Sequence, residues 1–275
     1  MDAPDRSCGN QDTGRPGQGH DKGSKRGPRI RFSRSRRRPV KRIFFIHGDK
    51  GGVGKTEVAK RMAAVMLQNG LPVTLVDGDN KNPGLHAAFQ DGKLDVHCIN
   101  VMTPTGRNAL FDVIAESPGD VLTDLPARGS DVTKKLNQGG ASEDGFSLEL
   151  LLTEIDAELT IVFVIDQTRS PLVALKAELA ALPDATRWIV VRNWREDRDF
   201  RLFDTTQVKA DLEARGAAII DMIRLDPRVN DILENGSLNL ITAQTSDKLS
   251  TLQKMRVKAA VRSWSEQMKI AGLIE

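Results

Sequence analysis

A glycine-rich segment directly after a short apolar run places the strongest constraint on the fold. Residues 48–56 read GDKGGVGKT and follow the run IFFI at 43–46. Glycines allow successive backbone N–H groups to curl around a phosphate, and a helix that starts there adds a partial positive charge. A strand, this loop and a helix are the setting that a phosphate-binding loop requires. The segment therefore predicts a nucleotide site, although a glycine-rich turn without a ligand is the alternative.

Within the loop, each residue type has an expected part in binding. Lys55 is expected to reach the β- and γ-phosphates, and the Thr56 hydroxyl to ligate Mg²⁺. The common pattern G-x-x-x-x-G-K-[ST] would have glycine at position 49, but this chain has Asp49, whose charge is expected to weaken phosphate binding. The predicted nucleotide-binding residues are Lys50, Gly51, Gly52, Val53, Gly54, Lys55, Thr56 and Glu57.

Apolar runs alternate with helical patterns along the rest of the chain. The runs lie at 43–46, 73–76, 96–102, 161–165, 188–191 and 217–220, and a further strand, DVLTD, precedes a loop at 125. Continuous apolar runs are typical of strands that are covered on both faces. Helices are predicted at 54–68, 107–116, 146–157, 170–181, 205–215 and 247–268. This alternation predicts an α/β fold with a doubly wound, mostly parallel sheet flanked by helices.

The charge is distributed unevenly. The chain has a net charge of +3, yet residues 1–42 hold 13 Lys or Arg and 4 Asp, and 11 of the basic residues lie between 22 and 42. Such a segment has too few apolar residues to fold by itself. We therefore expect a disordered basic tail at 1–41 and a P-loop NTPase domain at 42–275. The tail could bind DNA phosphates or an anionic membrane, or be a solubilising or non-native extension.

Other global features favour a cytoplasmic protein. No apolar window approaches the roughly 18 residues of a membrane-spanning helix, and the N-terminus does not have the form of a secretory signal. Cys8 and Cys98 are far apart and predict neither a disulfide framework nor a metal cluster.

The loop KGGVGKT resembles that of the deviant Walker A ATPases of the ParA/MinD family. This resemblance extends over about residues 42–240 and implies ATP and Mg²⁺ as ligands. It also implies that Lys50 reaches across an ATP-dependent homodimer to the nucleotide of the partner subunit, which explains why the loop has two lysines. The alternative is an exposed loop lysine. Catalytic roles are thus expected for Lys50, Lys55 and Asp79.

Two aspartate segments fit the same resemblance. VDGDNKNPG at 76–84 has the family's D-x-D form, which implies that Asp79 orients the attacking water and that Asp77 lies near the magnesium. VLTDLPARG at 121–129 has the D-x-P form, which implies that Asp124 holds a magnesium-bound water and that the following residues sense the γ-phosphate. Polar loops without such roles are the alternatives for both.

Weaker features concern the base and the C-terminus. The resemblance implies that Asn193 hydrogen-bonds adenine and that Pro227 lies near the adenine face; plain loops are the alternative. Near the C-terminus, a helix has Val257, Val261, Trp264 and Met268 on one stripe beside basic residues. We expect this stripe to pack on the sheet and not to contact DNA or a membrane.

The resemblance implies a slow, partner-stimulated ATPase that acts as a dimeric switch. The expected process is plasmid partition, stability or conjugative transfer, with DNA or a DNA-bound protein as partner and no membrane partner. The divergent switch segments and the long stretch at 85–118 look most like conjugative-plasmid accessory ATPases of the TraL or StbC type. The alternatives are a nucleotide-binding adaptor without hydrolysis and a metabolic relative such as an iron–sulfur carrier, ligase or kinase.

Overall fold

The computed structural model describes residues 40–90, 94, 96–137, 146–183 and 186–275. The predicted tail therefore lies outside the described residues except for positions 40 and 41. Lys41 is already the first residue of strand β1, and the Arg42 side chain pairs with Asp120, with Nε donating to Oδ2 at 3.0 Å. These two residues of the basic run thus belong to the folded chain.

Within the described residues, seven strands form one sheet at the centre of the fold. They pair in the order β3-β2-β4-β1-β5-β6-β7, and every pair is parallel. The strands are β1 Lys41–His47, β2 Val73–Asp77, β3 Val96–Cys98, β4 Asp120–Asp124, β5 Ala157–Ile165, β6 Arg187–Trp194 and β7 Ala218–Ile223. The predicted doubly wound parallel sheet is confirmed.

Helices cover both faces of this sheet, as the apolar strand runs predict. They are α1 Lys55–Gln68, α2 Gly84–Ala88, α3 Pro104–Glu116, α4 Gly129–Asn137, α5 Leu148–Glu154, α6 Arg169–Ala181, α7 Arg201–Asp204, α8 Gln207–Ala214, α9 Pro227–Asn235 and α10 Thr251–Ile270. Successive β1 side chains enter opposite cores: Phe44 and Ile46 pack in one, Ile43 and Phe45 in the other. Burial of each such side chain contributes about 1.5–3 kcal/mol.

Several predicted boundaries are wrong. Strand β3 ends at Cys98 and not at 102, because the chain turns there and Ile99 and Val101 are buried outside the strand. The helix predicted at 146–157 ends at Glu154, and Ala157 already starts β5. Helices α2, α4, α7 and α9 lie in segments for which no helix was predicted.

The C-terminal helix packs on the fold as predicted. Val257, Val261, Trp264 and Met268 of α10 are buried in the same core as α1 and the inner face of β7. Ser250 starts the helix with a capping box that it forms with Gln253. Among the described residues, no helix is long and apolar enough to cross a bilayer.

Candidate nucleotide-binding site

The glycine loop lies between β1 and α1, at the carboxyl edge of the sheet. Gly52 and Gly54 have left-handed φ values of 73° and 105°, a conformation that glycine adopts with little strain. A Cβ on Gly51 or Gly52 would meet no atom within 4 Å. The Val53 side chain, in contrast, is fully buried. The loop is therefore anchored by Val53 and open on the side of the first two glycines.

The end of strand β6 holds this loop in place. Asn193 Nδ2 donates to Val53 O at 2.8 Å, and the Arg195 guanidinium donates to Gly52 O. A Cβ on Gly54 would lie 2.4 Å from Asn193 Nδ2, so only glycine fits there. In this structure Asn193 thus fixes the loop backbone.

A cavity of about 670 Å³ opens beside the loop. Its lining brings together most of the residues predicted for phosphate, metal and water: Gly51, Gly52, Gly54, Lys55, Thr56, Glu57, Asp79 and Asp124. Because parallel strands end at the same edge, residues that are distant in sequence meet here. The start of a helix with open amides is also a ready anion site.

Lys55 is the buried cation of this cavity. Its Nζ lies 3.4 Å from Lys50 O. Burial lowers the pKa of Lys55, while the carboxylates of Asp124, Asp49 and Asp79 act in the opposite direction. The three carboxylates thus offset part of the cost of burying this ammonium, and an incoming phosphate would favour its charged form further.

Thr56 and Asp124 form the part of the cavity that suits a divalent cation. The Thr56 hydroxyl hydrogen-bonds the Asp124 carboxylate, and burial raises the pKa of Asp124 to about 7. Asp124 Oδ1 is buried without a hydrogen-bond partner, so it is free to accept one from a metal-bound water. Within the described parts of the chain, no cluster of three His, Cys, Asp or Glu could hold a metal alone. Mg²⁺ that is ligated mainly by water and phosphate fits this arrangement.

The two aspartates of the D-x-D segment differ in their contacts. Asp77 is buried, and its Oδ2 accepts hydrogen bonds from Leu85 N at 2.9 Å and His86 N at 3.0 Å. It therefore holds the start of helix α2, and burial raises its pKa against these hydrogen bonds. Asp79 is half-exposed and lines the cavity, so its carboxylate is open to water there.

Lys50, the predicted crossing lysine, folds back onto its own subunit. Its Nζ donates to Asp166 Oδ2 at 2.9 Å and contacts Thr168 Oγ1 at 3.2 Å, just after β5. Burial by itself would raise the pKa of Asp166, but hydrogen bonds from Thr168 and Lys50 outweigh it and lower that pKa. The Lys50 side chain is 35% exposed, so it can leave this pair.

The predicted base contacts lie around a second, smaller cavity of about 320 Å³. Asn193 and Pro227 both line it, and Glu57 lines this cavity as well as the first. Pro227 is the first residue of α9, whose start is capped by the Asp226 side chain. The two cavities thus meet at the first turn of α1.

Sequence reasoning missed some residues of the first cavity. Lys60, Asn82, Leu233, Glu234 and Ser237 also line it, and Lys60 acts electrostatically on Asp124. Lys60 lies four residues after Thr56, so helical spacing would have placed both on one face of α1. The end of α9 gave no comparable signal in the sequence.

The loop, the buried lysine and the carboxylates at one sheet edge define a P-loop nucleotide-binding protein. The family model described as the CobQ/CobB/MinD/ParA nucleotide binding domain matches residues 44–240, more than two thirds of the chain. The chain belongs to this family. The predicted resemblance to ParA/MinD proteins is thereby confirmed, while the narrower TraL or StbC type stays a prediction.

The chain is also similar to individual known proteins. The chain is 28% identical over 207 residues to Protein MobD of Acidithiobacillus ferrooxidans, which covers 74% of this chain and 87% of that protein. A chain of the MinC:MinD cell division protein complex of Aquifex aeolicus matches with a TM-score of 0.50 at 13% identity, over 83% and 95% of the two chains. The cell division ATPase MinD of Pyrococcus furiosus matches at 0.49 and 17%, over 83% and 98%. The similarity to these structures is one of fold.

Proposed function

We propose that the chain is an ATP-binding and ATP-hydrolysing dimeric switch of the ParA/MinD type. One observation carries the proposal: a single cavity brings the open loop glycines, Lys55, Thr56, Asp79 and Asp124 together. A cation, a metal-binding pair and a half-exposed carboxylate are the groups that phosphoryl transfer to water needs.

Each of these groups has a defined task in the proposal. The loop amides and Lys55 would bind and orient the phosphates, the Thr56 hydroxyl would ligate Mg²⁺, and Asp124 would hold the ion through a bound water. Bound Mg²⁺ supplies electrostatic stabilisation of the charge that develops on the phosphoryl oxygens. Asp79 accepts a hydrogen bond from the attacking water and so orients it.

The dimer follows from the second lysine of the loop. For Lys50 to contact the nucleotide of a partner subunit, it must exchange Asp166 and Thr168 for phosphate oxygens. Loss of the γ-phosphate on hydrolysis would remove the new partner and return Lys50 to Asp166. Nucleotide state would then decide between dimer and monomer.

Purified protein with Mg²⁺–ATP tests the proposed activity. Lys55→Ala should abolish nucleotide binding, whereas Asp79→Ala should bind ATP and lose turnover; Lys258→Ala, on the exposed face of α10, is the control. Full ATP affinity in Lys55→Ala would refute the loop assignment. If the wild type binds ATP but does not hydrolyse it, the protein is a nucleotide-binding adaptor. If it transfers phosphate from ATP to a small acceptor molecule, it is a metabolic enzyme.

We further propose plasmid partition, stability or conjugative transfer as the process, with DNA or a DNA-bound protein as partner. Similarity to Protein MobD supports a mobilisation role, and the basic residues between 22 and 38 support contact with DNA phosphates. Deleting residues 1–39 should leave ATP binding intact and reduce DNA retention at low salt. Retention equal to that of the full chain would exclude a DNA role for the tail.

A further inference from the structure

Asp49, the residue that departs from the common loop pattern, connects the loop to another element. Its Oδ1 accepts hydrogen bonds from Ser130 Oγ at 2.6 Å and from Ser130 N at 3.3 Å. Its backbone oxygen accepts one from Arg128 N at 3.4 Å. The Asp49 carboxylate therefore caps the start of α4 from outside that helix, where a negative charge is favourable.

The segment that Asp49 contacts leads directly from one side of the candidate nucleotide cavity into α4. Leu125, Pro126 and Ala127 line the cavity directly after Asp124, and α4 starts at Gly129. Between them, Arg128 has a left-handed φ of 65°. Such a conformation costs a non-glycine residue free energy, and surrounding contacts must maintain it. The hydrogen bond from Arg128 N to Asp49 is one of these contacts.

A second contact joins the same two elements further inside the fold. His47, two residues before Asp49, lies 3.2 Å from Thr133 Oγ1 of α4 through its Nε2. Both side chains are fully buried. A Cβ on Gly129 would lie 3.3 Å from that same His47 nitrogen, so α4 approaches β1 closely. The Asp49–Ser130 pair is thus a second attachment between α4 and the segment after β1, in addition to the buried contact of His47 with Thr133.

We propose that Asp49 is a positioning residue that couples the phosphate loop to α4. It keeps residues 125–130 against the loop, so that phosphate bound on the loop amides orders this segment and turnover depends on that order. The Asp49 carboxylate also acts electrostatically on Lys55. Its removal should therefore leave phosphate affinity unchanged or higher, while catalysis falls. This inference rests on the proposed ATPase function.

The test uses the full-length protein and the variants Asp49→Ala, Asp49→Asn and Ser130→Ala. Asp131→Ala is the matched control, because Asp131 is the exposed next residue of α4. A charge-assisted hydrogen bond of this kind is worth enough to predict a 10- to 100-fold fall in turnover for Asp49→Ala. Affinity for Mg²⁺–ATP should change less than about threefold or become tighter. Asp49→Asn, which retains an acceptor, should recover part of the turnover.

Hydrogen exchange at residues 125–137, with and without Mg²⁺–ATP, separates coupling from plain structure. In the wild type, nucleotide should slow exchange there at least about fivefold. In Asp49→Ala and Ser130→Ala, nucleotide should bind with much less slowing. A merely structural role would speed exchange equally in both states and leave the nucleotide effect intact.

The possible failures are distinct. A wild type that binds no nucleotide overturns both the proposed function and this inference. A wild type that binds and slows exchange, with Asp49→Ala and Ser130→Ala behaving like Asp131→Ala, overturns the inference alone. If the wild type binds ATP but does not hydrolyse it, the hydrogen-exchange measurement still tests whether Asp49 couples the loop to α4.

Discussion

Replacing Asp124 by asparagine should make the nucleotide-free protein more stable at pH 8 while it disables the site. Asp124 is buried beside Thr56, and burial raises the pKa of its carboxyl from 3.8 to about 7. Below pH 3.8 the carboxyl is protonated in both the folded and the unfolded state. Between these two pKa values the folded state keeps a proton that the unfolded state releases, so the free energy of unfolding decreases as pH rises.

The size of the effect follows from the shift. Each pH unit between 3.8 and 7 removes about 1.4 kcal/mol from the stability of the wild type, and above pH 7 the loss is constant. Between pH 5 and pH 8 the loss amounts to about 3 kcal/mol. Asparagine does not titrate, so Asp124→Asn should not show this loss of stability as pH rises. Any constant cost of an unpaired asparagine amide, about 1–3 kcal/mol, cancels when the two pH values are compared.

The assay is urea unfolding of wild type and Asp124→Asn at pH 5 and pH 8, with a chelator and without nucleotide. The stability difference, variant minus wild type, should rise by about 3 kcal/mol from pH 5 to pH 8. Asp112→Asn, on the exposed face of α3, is the control and should show a flat difference.

If the stability difference between Asp124→Asn and the wild type also stays constant from pH 5 to pH 8, the reasoning is refuted. The ionised Asp124 carboxylate would then not destabilise the nucleotide-free protein. The complementary expectation is that Asp124→Asn loses Mg²⁺-dependent nucleotide affinity at pH 8. Retained Mg²⁺ dependence would remove Asp124 from the metal site.

Three further outcomes are expected. Lys50→Ala should bind ATP without ATP-dependent dimerisation, as seen by light scattering; a variant that still dimerises would exclude the crossing lysine. Asp166→Asn should lower the dimer dissociation constant about two- to fivefold, because Lys50 then no longer has to leave a partly exposed ion pair worth about 0.5–1 kcal/mol. A weaker dimer would contradict the proposal that Lys50 leaves Asp166 when the dimer forms. Gly54→Ala should destabilise the fold by about 2 kcal/mol, because its Cβ would collide with Asn193 and its φ is 105°. Gly51→Ala, with open space around its Cβ, should unfold like the wild type.

The parts of the fold that sequence predicts well are those set by local pattern. Apolar runs such as Ile43–Ile46 are strands because both of their faces are buried. The loop glycines could be recognised in the sequence because the backbone has a left-handed conformation at Gly52 and Gly54, which favours glycine. The open cavity beside them follows from parallel topology.

Contacts between distant side chains were not predictable in the same way. The sequence does not indicate that Lys50 would meet Asp166, 116 residues away, or that Asp49 would cap α4. The hydrogen bonds that Asp77 accepts from α2 were not predicted, because the D-x-D pattern points only to a metal role, which stays a prediction. These pairings depend on which loops lie next to each other in the folded protein. The residues of one loop do not indicate which other loop it will contact.

The central position of β1 has a consequence for how the protein folds. Ile43 of β1 pairs with Val121 of β4 and with Leu159 of β5, so each pairing closes a long stretch of chain. Contacts this far apart in sequence form slowly, because the entropy of closing the loop is lost before the contact stabilises it. During synthesis, β1 can pair with its second neighbour, β5, only after β5 has left the ribosome. The middle of the sheet can therefore be completed only after residues 48–156, which separate β1 from β5, have been synthesised.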